Sequence, residues 1–313
     1  MKASRVHRFG DPLQLDELPE PQAGPREVVV DLEFIGVNPV DIWVTRGTVA
    51  GGSQPLPFVP GLEAAGSANG RRYVVRAPGF GVAVDGFYRE RAAVPESALI
   101  PLPEGVDPAQ AAALPVAGAT AWRLVDDVGS VTAEDRVIVL GASGGVGSLV
   151  VQLAKARGAV VWGQTGSQDK SEAVSSVGAD RVVVATAENL ASRLEELQPS
   201  VAFDPLGGAF TRALVDALQV GIGGRLVLFG TSFGPEATFD LRTIYRREVQ
   251  LLTYSGTVEP PARTQAALEA ALAELVAGRI RVPIDEVLPL EQAAQAHQRI
   301  LDRRVRGKLL LRP

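Results

Sequence analysis

The sequence predicts an α/β protein in which a doubly wound parallel sheet occupies the middle of the chain, beside a smaller antiparallel β domain. Three observations carry this expectation. From about residue 130, short β-branched runs alternate with helical stretches; parallel neighbours need crossover connections, and that alternation supplies them. A glycine-rich turn, Gly141-Ala-Ser-Gly-Gly-Val-Gly147, falls between the first of these strands and its helix. Before about residue 117 the chain is rich in Gly and Pro with short strand-like runs, the pattern of a compact antiparallel domain.

In the first part, EVVVDLEFIGV (27–37), RRYVVRA (71–77) and LIPLP (99–103) read as strands. Pro55, Pro57 and Pro60, beside Gly51 and Gly52, mark a loop that cannot be a central strand. In the middle, RVIVLG (136–141) is a strand and SLVVQLAKARG (148–158) a helix with a glycine stop. AVVWGQT (159–165), DRVVVA (180–185), SVAFDPLGG (200–208), GRLVLFGTS (224–232) and EVQLLTYSG (248–256) continue the strands. DKSEAVSSVG (169–178), NLASRLEEL (189–197) and FTRALVDAL (210–218) are the helices between them. After about 257 come two helical patterns, 263–278 and 290–302, and a closing strand, GKLLLRP (307–313). That tail has too few strands for a core of its own, so it is expected to rejoin the N-terminal domain. The expected division is 1–117 with 257–313 against 118–256.

Composition bounds the function. The 313 residues suffice for about two domains, and 46% hydrophobic with 21% charged residues is a soluble, globular balance. The absence of cysteine removes disulfides, thiolate nucleophiles and thiolate-built metal sites. A net charge of −5 leaves no electrostatic footprint for nucleic acid or an anionic membrane. The N-terminus, MKASRVHRFGDP, lacks the apolar core of a signal peptide. Residues 137–154 are uncharged, but their four glycines suit a strand, a turn and a helix better than a membrane span. A cytoplasmic protein is the expectation.

The glycine turn has the context a dinucleotide site requires: a strand before it, a helix after it and further strand–helix units beyond. Here Gly141, Ser143, Gly144, Gly145, Val146 and Gly147 would let the main chain approach a pyrophosphate, whose charge meets helix N-terminal N–H groups. The same glycines are compatible with a closely packed β–α turn that binds nothing. An NAD site of this kind usually carries an acid at the end of the second strand, but residues 163–166 hold none. Gly166, Ser167 and Lys170 suit the 2′-phosphate of NADPH; alternatively, Ser167 caps the next helix and Lys170 is solvated. Metal catalysis is disfavoured, because His7 and His297 are the only histidines and no thiolate accompanies them. Both read as surface or packing residues. Hydride transfer needs no metal, since the cofactor carries the reactive group.

In order along nearly the whole chain, GVNPVDIWVTRG (36–47), PGLEAAG (60–66), ALPVAGATAWRLV (113–125), GASGGVGSLVVQLAKARGA (141–159), GSQDK (166–170), GAD (178–180), FDPLGG (203–208), LVLFG (226–230) and GKLLL (307–311) appear. Together they resemble the zinc-independent quinone oxidoreductases of the medium-chain dehydrogenase/reductase superfamily, the group that includes ζ-crystallin. The resemblance implies a GroES-like catalytic domain built from both chain ends, a Rossmann domain between, and an active cleft where they meet. It implies NADPH-dependent, metal-free reduction of quinones or α,β-unsaturated carbonyl compounds, by a homodimer or homotetramer joined at the edge strand 248–256. It places Asn38 by the nicotinamide and the substrate carbonyl, with Asp41 bracing that loop or relaying a proton. Asn38 and Asp41 also suit simple turn formation beside Pro39. Thr120, Phe229, Gly230 and Thr231 would flank the cofactor, and Lys308 would reach the nicotinamide side.

Departures from that pattern bear on the site. Leu62 stands where zinc-dependent relatives have the histidine of the G-x-E motif. Trp43 replaces a tyrosine, which removes a hydroxyl and offers an indole for stacking on an aromatic substrate. A tyrosine of several relatives is replaced near Ala185, and the segment between Gly66 and Tyr88 is short. Two other readings stay open: a metal-free alcohol/carbonyl dehydrogenase, and a non-catalytic NADPH-binding protein of structural or regulatory role.

Overall fold

The computed structural model describes residues 1–49, 55–218 and 223–313; Gly51 and Gly52 lie outside them. The chain packs as two units, Met1–Ala117 with Val282–Pro313, and Gly118–Arg281. The first begins with β1 (Lys2–Arg5), β2 (Gln14–Glu17), β3 (Glu27–Val37) and a short helix α1 (Pro39–Thr45). It continues through β4 (Ala64–Ala68), β5 (Arg71–Val75), β6 (Arg91–Pro95), β7 (Leu99–Pro101) and α2 (Pro108–Ala112). Helix α3 (Pro115–Trp122) then carries the chain into the second unit.

There β8 (Arg136–Val139), α4 (Gly145–Ala156), β9 (Val160–Thr165), α5 (Ser171–Ser175), β10 (Arg181–Val184) and α6 (Ala187–Arg193) follow in turn. After them come β11 (Val201–Asp204), α7 (Gly208–Ala217), β12 (Arg225–Leu228), α8 (Leu241–Arg246), β13 (Gln250–Thr253) and α9 (Pro261–Val276). The chain returns to the first unit with β14 (Ile284–Pro289), α10 (Ala293–Leu301) and β15 (Lys308–Arg312).

The second unit is a six-stranded parallel sheet in the order β10-β9-β8-β11-β12-β13, with β13 on its edge. That order reverses direction beside β8, and ligands of such sheets bind at the strands' C-terminal ends near the reversal. The alternating sequence pattern explains the core: Ile138, Leu140, Trp162, Leu190, Ala202, Leu214 and Leu226 bury their side chains together. The Val137–Ala154 stretch resolves into β8, a turn and α4, and no helix among the described residues is long and apolar enough to cross a membrane.

In the first unit, a seven-stranded sheet runs β14-β15-β3-β4-β5-β7, with β6 also pairing β3. Strand β15 lies antiparallel to β3, Leu310 opposite Gly36, and β4 flanks β3 on its other side, Ala64 opposite Ile35. The registers therefore bring the residue just before β4 and the first residue of β15 to the C-terminal end of β3. Val30, Ile35, Phe87, Tyr88, Leu309 and Leu311 form the core beneath.

The tail divides later than expected. Residues 257–281 belong to the second unit, where Glu274 of α9 lies 3.5 Å from Arg157 at the C-terminal cap of α4 and Gln152 donates to the Arg281 carbonyl at 2.9 Å. Only from Val282 does the chain rejoin the first unit, where β14, unforeseen as a strand, pairs parallel with β15.

The turn before α4 explains its glycines. Gly141 adopts φ +59°, and a Cβ on Gly147 would lie 2.4 Å from the Gly141 carbonyl oxygen. Gly147→Ala must open the turn and is expected to cost about 1–3 kcal/mol in urea unfolding. Gly166→Ala, with nothing within 4 Å of the added carbon, should fall within about 0.5 kcal/mol of wild type.

Candidate functional site

Two clusters hold the sequence-predicted residues, one in each unit. In the first unit, β3 ends at Val37 and Asn38 caps α1, with Pro39 in the first helical position. Asp41, three residues on, folds back so that Oδ2 accepts the Asn38 backbone N–H at 2.8 Å. The turn-forming and functional readings of this pair are thus compatible.

The Asn38 side chain is held by charge. Lys308 Nζ donates to Glu63 Oε1 at 2.6 Å, to Asn38 Oδ1 at 2.5 Å and to the Val37 carbonyl at 3.1 Å. Asn38 Nδ2 donates to the same Glu63 oxygen at 2.8 Å. Glu63 Oε2 accepts the Val116 N–H at 2.5 Å, in the first turn of α3, where backbone donors have no helical partner. All three side chains are buried, Glu63 at 0% exposure. An ammonium group has three donors, and Lys308 directs all three into this cluster. Lys308, expected on the nicotinamide side, lies against Asn38 and Glu63. Asn38 keeps one Nδ2–H with no partner in the cluster.

A second buried chain adjoins the first. Tyr88 Oη donates to Asp41 Oδ2 at 3.1 Å and lies 3.1 Å from His297 Nε2. With its hydrogen directed at Asp41, the Tyr88 oxygen accepts from Nε2–H, which fixes the tautomer of a neutral imidazole. Burial pushes Asp41 up from 3.8 to about 7, and neighbouring Glu63 adds to this, against the Asn38 N–H, Lys308 and Tyr88. Its Oδ1, buried with no hydrogen-bond partner, is where the missing solvation is felt. Burial pushes His297 down from 6.5 to about 4, reinforced by Arg46. Burial and then the charge of Asp41 raise Tyr88. Trp43 stands apart, its indole 40% exposed on α1.

In the second unit, the glycine turn is pinned to β9: Gly141 N–H donates to Gln164 Oε1 at 3.1 Å and Ala142 N–H to the Gln164 carbonyl at 2.9 Å. Helix α4 starts with Gly144 as cap and no side-chain cap bond. Ser143 is buried, while Gly144, Gly145 and Val146 are partly open. Uncapped N–H groups above a cradle too close for a Cβ at Gly147 fit a pyrophosphate. Gly166 follows β9 and is exposed; Ser167 and Lys170 are half-buried on the turn before α5. After β12, Phe229 N–H donates to the Asp204 carbonyl at 3.0 Å, and a Cβ on Gly230 would meet the Pro205 carbonyl oxygen at 2.7 Å. Thr231 is exposed. These three segments share the C-terminal edge of one parallel sheet. Thr120 is half-buried on α3.

Sequence reasoning missed three participants. Glu63 entered only through the motif around it, and Tyr88 only as the end of a shortened segment. His297, read as a surface or packing residue, is buried and hydrogen-bonded. The one sequence signal was a lone acid in the apolar stretch PGLEAAG, since a buried carboxylate demands a partner.

Residues 24–104 match the alcohol dehydrogenase GroES-like domain and residues 145–273 the zinc-binding dehydrogenase family. The quinone oxidoreductase of Sus scrofa is 31% identical over 335 residues, covering 99% of this chain and 97% of that protein. The quinone oxidoreductase of Thermus thermophilus, whose structures include its complex with NADPH, superposes with a TM-score of 0.83 at 31% identity over 100% of both chains. An NAD-dependent alcohol dehydrogenase superposes at 0.92 with 28% identity, again over 100% of both. The residues here do not fit the zinc that one family description implies. The chain has no cysteine, Leu62 precedes Glu63, and the cation against Glu63 is Lys308 itself. Among the described residues, no three His, Cys, Asp or Glu side chains converge to hold a metal.

The buried Asp41 and His297 give opposite pH dependences. Asp41 binds its proton up to about pH 7 when folded but only to 3.8 in its ordinary state, so its contribution to stability is lost as pH rises between them. His297 stays neutral down to about 4 when folded, so its contribution is lost as pH falls from 6.5. Each slope is about 1.4 kcal/mol per pH unit. Relative to wild type, Asp41→Asn should gain stability as pH rises from 4 to 7, and His297→Gln should lose it. Urea unfolding across that range checks this, and variants with parallel pH profiles would contradict it.

Proposed function

The chain belongs to the quinone oxidoreductase family of the medium-chain dehydrogenase/reductase superfamily, and on that footing we propose that it is an NADPH-dependent, metal-free reductase of quinones or of carbon–carbon double bonds conjugated to a carbonyl. The observation that carries this reading is the Asn38 amide, fixed between a buried cation and a buried carboxylate with one N–H left to donate. NADPH, when bound, supplies the hydride.

The chain's own residues account for the rest. Gly141 to Gly147 hold the pyrophosphate, and Gly166, Ser167 and Lys170 receive the 2′-phosphate just past a strand end, residues 163–166, that carries no acid. Thr120, Phe229, Gly230 and Thr231 contact the nicotinamide end. Asn38 donates its remaining N–H to the acceptor oxygen as negative charge gathers there. A donor already fixed in place needs no reorganisation at that moment, and removing one such donor typically costs about 10²–10³ in rate. Asp41 holds the Asn38 backbone, Trp43 stacks on an aromatic acceptor, and water provides the proton. We propose further that two copies pair through the edge strand β13, where Leu251 is 42% exposed.

One rival has an observation behind it: the structural likeness to an NAD-dependent alcohol dehydrogenase favours alcohol oxidation, which NAD with simple alcohols would reveal. The reductase reading expects NADPH consumption with 1,4-benzoquinone and with a simple enone. Asn38→Leu should lower kcat by about 10²-fold or more while leaving NADPH affinity unchanged. Lys170→Ala should weaken NADPH about tenfold, the worth of a charge-assisted hydrogen bond, and leave NADH unaffected. No turnover with either acceptor, by folded protein that binds NADPH, would overturn the reading.

A further inference from the structure

We infer that Lys308 and Glu63 act together as a lock that dictates which end of the Asn38 amide faces an acceptor, which makes Lys308 a positioning residue for the reaction. The inference rests on the proposed role of Asn38 and deepens it.

The two ends of a side-chain amide have nearly the same shape but opposite chemistry, one an acceptor and the other a double donor. Nothing in Asn38 itself favours the end that would help an acceptor oxygen. Its surroundings do. Oδ1 lies 2.5 Å from the Lys308 ammonium and Nδ2 lies 2.8 Å from Glu63 Oε1. Turning the amide over would set its NH2 against an ammonium that can only donate, and its oxygen against a carboxylate that can only accept. Both contacts would become repulsive where all three side chains are buried, with no water to screen them.

The lock is itself held rigid. Lys308 is tethered to the Val37 carbonyl at 3.1 Å, and Glu63 to the Val116 N–H at 2.5 Å. Gly36 lies under the carboxylate, where a Cβ would come within 2.1 Å of Glu63 Oε1. The asymmetry reaches the one donor left over. Glu63 consumes one Nδ2 hydrogen, and the other has no partner within the cluster. An environment of groups that both donate and accept could hold Asn38 in place, but an ammonium that only donates and a carboxylate that only accepts also choose its orientation.

The test uses the whole protein and two readouts. Lys308→Met alone strands the Glu63 charge, so the informative variant is Lys308→Met with Glu63→Gln, in which the introduced amide can donate or accept and either Asn38 orientation is satisfied. In that variant NADPH affinity should stay within twofold of wild type, while kcat with 1,4-benzoquinone falls about tenfold or more, the scale of loss when a reacting group is loosened. In the Asn38→Leu background the same pair of substitutions should have no further effect on kcat. An equal loss in both backgrounds, or an unchanged kcat, overturns the inference.

The second readout needs neither cofactor nor turnover. The Asn38 side-chain amide, assigned in 15N spectra by its absence in Asn38→Leu, should show one carboxylate-bound proton exchanging with water at least tenfold more slowly in wild type than in the double variant. An amide in wild type that exchanges as fast as an exposed asparagine overturns the lock, whether or not the double variant folds. A wild-type protein that is protected in this way yet turns over no acceptor would refute the proposed function and leave the lock standing.

Discussion

A carboxylate removed from water organises the first unit. Glu63 is wholly buried, and a lone charge in that position would cost several kcal/mol. The chain meets the demand with Lys308, 245 residues away in sequence, and with a backbone N–H at the start of α3. The ion pair therefore joins the segment before β4 to the beginning of the last strand. The C-terminal strand pairs with β3 and buries Leu309 and Leu311 in the core, and it is this return that brings Lys308 to the acid. Asn38 sits at the point where β3, β4 and β15 converge, and it inherits the order of the pair.

The Asp41–Tyr88–His297 chain is a second, differently balanced device. Its acid is held near neutrality by burial and its imidazole is kept uncharged by the same cause, so the two opposing pH dependences largely cancel between about pH 4 and 6.5. Tyr88 joins them with a single hydroxyl that donates one way and accepts the other. The loop that begins α1 is thereby tied to α10, an element from the far end of the chain, and the backbone of Asn38 is held as firmly as its side chain.

What could be read from the sequence was local. The alternation of strands and helices, the glycine turn with a strand before and a helix after, and the missing acid after the second strand all depend on neighbours within a few tens of residues. Asn38 and Asp41 were legible for the same reason, being a cap and the residue three positions on. Glu63 with Lys308, and Tyr88 with His297, meet only through sheet register and helix docking, which spacing does not encode. Lys308 illustrates the limit: its motif marked it as a site residue, but its partners depend on Leu310 lying opposite Gly36. The late division of the tail had a similar cause. The pattern of α9 shows a helix with an apolar face, but not which unit that face packs on or that Glu274 meets Arg157 and Gln152 the Arg281 backbone.

The central claim is that the buried charge of Glu63 is tolerated only because Lys308 answers it. A thermodynamic cycle on urea unfolding at pH 7 tests this most directly. Glu63→Gln and Lys308→Met should each cost about 3–5 kcal/mol, because each strands the other's charge, while the double substitution should return to within about 1 kcal/mol of wild type. Losses that simply add in the double variant would contradict the account.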